Sequence, residues 1–191
     1  LNGTNFIGTI DAQGLDIRTD NAIRMRIDKD GNIGIGTSSI SAKVEIASDN
    51  TNNYSLWLEH ADDDAAVGPV VILKRTKPSV VATTGDYLSR IGFYGEDDAG
   101  NSTRQYGFID AQIDDPSASS LGGRLNFGVL HQGATTTAFR ILGNGTSTGS
   151  VVVNDNGHDI DFRIEGVNNT FLFLTDASAG YVGIGTSDPQ A

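Results

Sequence analysis

Gly31-Asn32-Ile33-Gly34-Ile35-Gly36-Thr37-Ser38 recurs as Gly180-Tyr181-Val182-Gly183-Ile184-Gly185-Thr186-Ser187, at a constant offset of 149 residues. Each copy follows a segment of alternating apolar residues, Ile23 to Ile27 in one and Phe171 to Leu174 in the other. Alternation with period two marks a strand that turns one face inward. An Asp stands ahead of each copy: Asp28 and Asp30 before the first, Asp176 before the second. Asp30-Gly31 between two strands predicts a tight hairpin, because both residue types tolerate positive φ. Gly31, Gly34 and Gly36, with Gly180, Gly183 and Gly185, are therefore expected to be structural turn and spacing positions. Two copies are too few for a solenoid. They indicate one unit used twice, over residues 1–47 and 149–191, with something different between.

The intervening stretch, 48–148, alternates too. Ile91 and Phe93, then Ile109, Ala111 and Ile113, then Leu125, Phe127 and Val129, each skip a residue. Tyr94 to Asn101 reads as a hairpin loop between strands near Leu88–Tyr94 and Arg104–Ile113. Asp114 to Ser120 reads as a second loop, leading into Arg124 to Leu130. Five or six antiparallel strands in this length predict a β-sandwich or jelly-roll-like domain. Ser55 to Val67 is ambiguous between a strand and a short helix. The fold class expected is all-β.

Composition narrows the function classes. The chain has 191 residues and a formal net charge of -11, so bulk-charge attraction to nucleic acid or anionic lipid is excluded. Cysteine is absent, which removes disulfide scaffolds, thiolate metal sites and thiol catalysis. No apolar run is long enough to span a bilayer as a helix. The first residues, Leu1-Asn2-Gly3-Thr4, include neither an initiator Met nor a basic stretch. They lead us to expect a piece of a longer protein.

Glycine weakens a strand unless something approaches its backbone closely. Full burial of an isoleucine is worth roughly 1.5 to 3 kcal/mol, while ordering one residue's backbone costs roughly 1 to 2 kcal/mol. Ile33 and Ile35 alone cannot offset ordering the hairpin around them. Further apolar contact must come from elsewhere, and identical chains around an axis would supply it. The expectation is an elongated homotrimer with Ile33, Ile35, Val182 and Ile184 at its core and the alternate glycines admitting close backbone approach.

With these residues in view, the sequence resembles phage tail fibres. The carriers are Asp28-Lys29-Asp30-Gly31-Asn32-Ile33-Gly34-Ile35-Gly36-Thr37-Ser38 and Val182-Gly183-Ile184-Gly185-Thr186-Ser187-Asp188-Pro189. Such glycine units are common in tail-fibre shafts and in related bacterial surface proteins. Asp159 to Gly166 resembles the strand leading into such a unit. Arg90 to Asn101 and Gly123 to Phe127 resemble a β domain inserted in these fibres. The first unit departs from the pattern with Ile40 where the family has Pro. The resemblance implies a homotrimeric, elongated, non-enzymatic virion component that supports host attachment, located in the tail fibre. Its implied partners are copies of itself, other fibre or baseplate proteins and a host surface polysaccharide. A bacterial extracellular filament or adhesin has the same β-repeat physics.

Several motifs imitate chemistry. Gly31 to Gly36 looks like a phosphate loop but lacks the following helix and βαβ context. Asp28-x-Asp30-x-Asn32 imitates a calcium loop, yet Ser39 stands where the twelfth-position Glu belongs. Glu96-Asp97-Asp98 and Asp114-Asp115 offer paired carboxylates of the kind glycoside hydrolysis needs, but in turn-like contexts. His60, His131 and His158 have no metal-ligand spacing. Trp57, Tyr87, Tyr94 and Tyr106 have the rings that stack on sugars, although packing or a chain interface explains them as well. Trp57, Tyr94 and Tyr106 are carried forward as receptor-facing candidates. No catalytic residue, metal or cofactor is expected.

Overall fold

The computed structural model describes residues 7–48, 55–61, 68–77, 80–100, 103–143, 149–154 and 157–190. The chain is all-β, with twelve strands and no helix among the described residues. It divides into two units, 1–71 and 72–191. The helix alternative for Ser55 to Val67 finds no support over 55–61, which carries no regular structure. Its remainder lies outside the described residues.

The first unit holds a four-stranded sheet of β1 (Leu15–Thr19), β2 (Ala22–Ile27), β3 (Ile33–Ile35) and β4 (Val44–Ile46), in that order. The first three are antiparallel, and β4 returns parallel to β3. The turn between β1 and β2 is Asp20-Asn21, with φ of 50° and 56°. Consecutive left-handed residues make the hairpin turn that suits strand twist. The hairpin that Asp30-Gly31 predicts forms as well, joining β2 to β3 through residues 28–32. There only Gly31 is left-handed, at φ 76°. Asp28 organises that loop: its Oδ1 accepts from the Asp30 and Asn32 amides at 2.9 and 2.8 Å, and its Oδ2 accepts from Asn32 Nδ2 at 2.9 Å. These bonds hold the Asp28 carboxyl below its usual pKa, the Asn32 amide contributing most.

The second unit holds two sheets. The larger is a five-stranded antiparallel meander of β5 (Tyr87–Gly95), β6 (Arg104–Asp115), β7 (Gly122–His131), β8 (Ala134–Gly143) and β9 (Ser150–Val153). The sandwich expected for 48–148 is therefore not formed: this is one sheet, and no second sheet faces it within that stretch among the described residues. Its fifth strand comes from beyond residue 148, in the part read as belonging to the second glycine unit. The turn from β7 to β8 is Gln132-Gly133, again with two positive φ values, 47° and 82°. The smaller sheet is β10 (Phe162–Gly166), β11 (Asn169–Asp176) and β12 (Tyr181–Gly183), antiparallel throughout.

The first three strands of the first sheet match the three of the smaller sheet, and β4 has no counterpart there. Arg26 pairs with Gly34, and Leu174 with Gly183. Between the equivalent pairs Ile27–Ile33 and Thr175–Val182 the second unit has one residue more, so the offset of 149 after the turn becomes 148 before it. Gly34, Gly36 and Gly183 each make a close approach inside the chain. A Cβ on Gly34 would lie 2.6 Å from the Thr37 carbonyl oxygen and 2.9 Å from Ile40 Cγ1. One on Gly183 would lie 3.0 Å from the Thr186 oxygen and 3.4 Å from Pro189 Cβ. Ile40 therefore does for Gly34 what Pro189 does for Gly183, which accounts for the departure from the proline pattern. Gly36 has φ 73°, and a Cβ there would meet the Ala47 oxygen at 2.2 Å, so the chain leaving β4 passes directly over it.

Candidate functional site

Register decides which side chains share a face, because directly paired residues point the same way. In the first sheet two rows cross all four strands: Leu15, Ile27, Ile33, Val44 and Ile17, Met25, Ile35, Ile46. Both are wholly apolar. The row between them is Asp16, Arg26, Gly34, Glu45, so the opposite face is polar. Arg26 grips Asp16 through Nε at 2.6 Å and Nη2 at 2.9 Å. That pairing holds the Asp16 carboxyl below its ordinary pKa.

The middle sheet repeats the scheme at larger scale. Ile91, Ile109, Phe127, Phe139 and Val153 form one apolar row across five strands. Ala111, Leu125, Ile141 and Val151 form the next. Phe127 and Phe139 meet edge to face, with centroids 5.6 Å apart. In the third sheet Phe162, Thr175 and Val182 make one row, and Ile164 and Phe173 another, with the Phe162 and Phe173 rings 6.0 Å apart.

Among the described residues, none of these faces is closed. Phe108 and Leu174 are the buried large apolar residues among those described. The four residues expected at a trimer core lie on the open faces: Ile33 is half-buried, and Ile35, Val182 and Ile184 are exposed, Ile184 by 79%. Two rows of apolar side chains on one unpacked sheet face form a contiguous patch, and such patches mark interaction surfaces.

The reverse face of the middle sheet carries a polar ladder that no sequence motif announced. Arg90, Asp110, Asn126 and Arg140 pair in register across β5, β6, β7 and β8. Asp110 is 2% exposed and Asn126 1%. Arg90 donates from Nε and Nη2 to Asp110 Oδ2 at 3.1 and 2.7 Å. Asn126 Nδ2 and Gln112 Nε2 donate to Oδ1 at 2.7 and 3.3 Å. Arg140 Nε donates to Asn126 Oδ1 at 2.8 Å. A carboxylate offers about four acceptor positions, and Asp110 fills that number. Such a group holds register; it has no lone pair left for a substrate. Beside the ladder Phe108 sits between Gly92 and Gly128, its register partners, with the Arg90 guanidinium 4.4 Å from its ring centroid.

The remaining motifs take structural roles. Asp97 pairs with Arg104 at 3.0 Å and caps the Ala99 amide at 3.0 Å. Asp115 accepts from Ser120 Oγ at 2.7 Å and the Ser117 amide at 2.9 Å, and these bonds, the hydroxyl foremost, lower its pKa. No group of three or more metal-ligating side chains is found among the described residues. His131 and His158, distant in sequence, come together with ring centroids 5.8 Å apart, which spacing alone could not reveal. Trp57 is exposed, and its indole N–H donates to Glu59 Oε2 at 3.1 Å. Tyr94 is exposed, with its ring over Gly92. Tyr106 is exposed, lies against Gly95 and donates its hydroxyl to the Glu96 carbonyl at 3.0 Å.

Neither a protein-family model nor a curated protein matches this sequence.

Proposed function

We propose that the chain is a structural, non-enzymatic segment of a phage tail fibre, assembled as an elongated homotrimer that supports attachment of the virion to the host surface. One observation carries the proposal: in each sheet one apolar face is left open among the described residues, and in the first sheet the eight side chains of its two full rows are apolar. A single-layer sheet is stable only when such a face is covered. Copies of the same chain supply a matching apolar face at no cost in specificity, and closed symmetry leaves none exposed. The net charge of -11 keeps assembled fibres apart from one another. Other fibre or baseplate proteins are the proposed partners along the axis.

Sedimentation equilibrium tests this directly. The expected mass is three times 20.1 kDa, and the double change I35D/I184D is expected to yield folded monomer. A native chain that stays monomeric, with its sheets intact by circular dichroism, overturns the proposal.

A second reading gives the middle sheet a glycan contact, favoured by the exposed rings of Tyr87, Tyr94 and Tyr106 along its first two strands. A bacterial extracellular filament shares the physics of the first reading and differs only in where the protein is found.

A further inference from the structure

At the outer edge of the middle sheet, Arg75, Tyr87, Leu88, Ser89 and Arg90 line an open cleft of about 490 Å³. The cleft is basic on a strongly acidic chain. Its neighbouring carboxylates are already engaged: Lys77 holds Asp86 in an ion pair, and Asp110 is taken by the ladder. Arg75 gives one Nη1 hydrogen to the Tyr87 carbonyl at 2.8 Å and stands 4.0 Å from Asp86. Arg90 uses Nε and Nη2 on Asp110, which leaves Nη1 without a partner among the described residues. Three cations thus face two carboxylates, and two guanidinium groups with spare donors border one space. Tyr87 is 47% exposed beside them, with the Arg90 guanidinium 5.1 Å from its ring centroid.

We propose that this cleft binds a carboxylate-bearing sugar, with Arg75 and Arg90 taking the carboxylate and Tyr87 receiving the face of the ring. The guanidinium fork matches a carboxylate in two parallel hydrogen bonds. An aromatic ring supplies the flat apolar surface that the C–H face of a sugar needs. The polar face of β5, where Arg90 stands, is the reverse of the open apolar face, so covering one leaves the other accessible. This deepens the glycan reading above and names its ligand class. It does not depend on trimerisation, because all of its residues belong to one chain.

The test is titration of the full chain with glucuronic acid, glucose and inorganic phosphate, followed by amide chemical shifts. Glucuronic acid is expected to move the amides of residues 86–90, glucose to move them weakly, and phosphate to bind less well than the uronate. Arg75→Ala is expected to weaken uronate binding by about tenfold, the loss of one charged bidentate contact, and Arg75→Lys to recover part of it. Arg90→Lys probes the second guanidinium while keeping a cation for Asp110. Equal binding of glucose and uronate, phosphate binding as tightly as uronate, or no shifts with any of the three overturns the proposal. Oligomeric state is recorded in the same samples, so failure to bind is separable from failure to associate.

Discussion

The middle sheet and the two glycine units solve the same problem differently. Both are single layers with an open apolar face. The middle sheet has long strands and a buried polar ladder, so its register is held by side chains meeting across four strands. The glycine units have strands of three to eight residues. Their register is held by turns and by backbone lying on backbone at Gly34, Gly36 and Gly183. A one-residue slip would expose Asp110 on the wrong face in the first case, and would drive Thr37 or Ala47 into a side chain in the second. Specificity comes from polar pairing where strands are long and from steric closeness where they are short.

The largest effect expected from breaking this contrast is at the ladder. Asp110→Ala leaves Arg90 and Asn126 without their acceptor, and should cost about 3 kcal/mol, the low end for a broken buried pair because Arg90 is partly exposed. Denaturant unfolding of the second unit measures it. A cost near zero would mean that the apolar rows alone set the register.

Next comes a graded pair in the first glycine unit. Gly36→Ala meets both a left-handed backbone and the Ala47 oxygen, and should cost about 2 to 3 kcal/mol. Gly31→Ala meets only the left-handed backbone, since nothing lies within 4 Å of its Cβ position, and should cost about 1 kcal/mol. Thermal unfolding of the two variants side by side checks the order. Equal costs would remove close packing as the reason for Gly36.

The smallest effect is electrostatic. The Lys77 ammonium, helped by the Thr83 amide, holds the Asp86 carboxyl down to about 2 from an ordinary 3.8. The folded state therefore releases this proton more readily than the unfolded one. The stabilisation is complete above pH 3.8 and is lost as pH falls through about 2. Lys77→Met should lower stability at neutral pH and show no further difference from the native chain at the acid end of that range. A difference between the two that does not shrink on acidification would contradict this assignment.

Much of this was readable from residue order. Period-two alternation located β2, β6, β7 and β11, because a half-buried strand must alternate. The loops at 94–101 and 114–120 were visible as runs of Gly, Asp, Asn and Ser. Asp20-Asn21 carries a hairpin signal of the same kind as Asp30-Gly31, since Asp and Asn tolerate positive φ. The parallel return of β4 left no local mark, since it depends on Gly36 admitting the Ala47 carbonyl. The ladder left none either: Arg90, Asp110, Asn126 and Arg140 are unremarkable until register aligns them, and so is the cleft that joins Arg75 to Arg90.

Residue order thus settled the all-β class, the repeated unit and the alternation that makes each sheet two-faced, because these follow from local backbone sterics and side-chain period. Three-dimensional pairing alone decided that the described strands of the insert form one sheet rather than two, that Gly34, Gly36 and Gly183 pack against their own chain, and which polar groups meet. Those outcomes depend on contacts between residues far apart in the chain, and no local pattern encodes the register that brings them together.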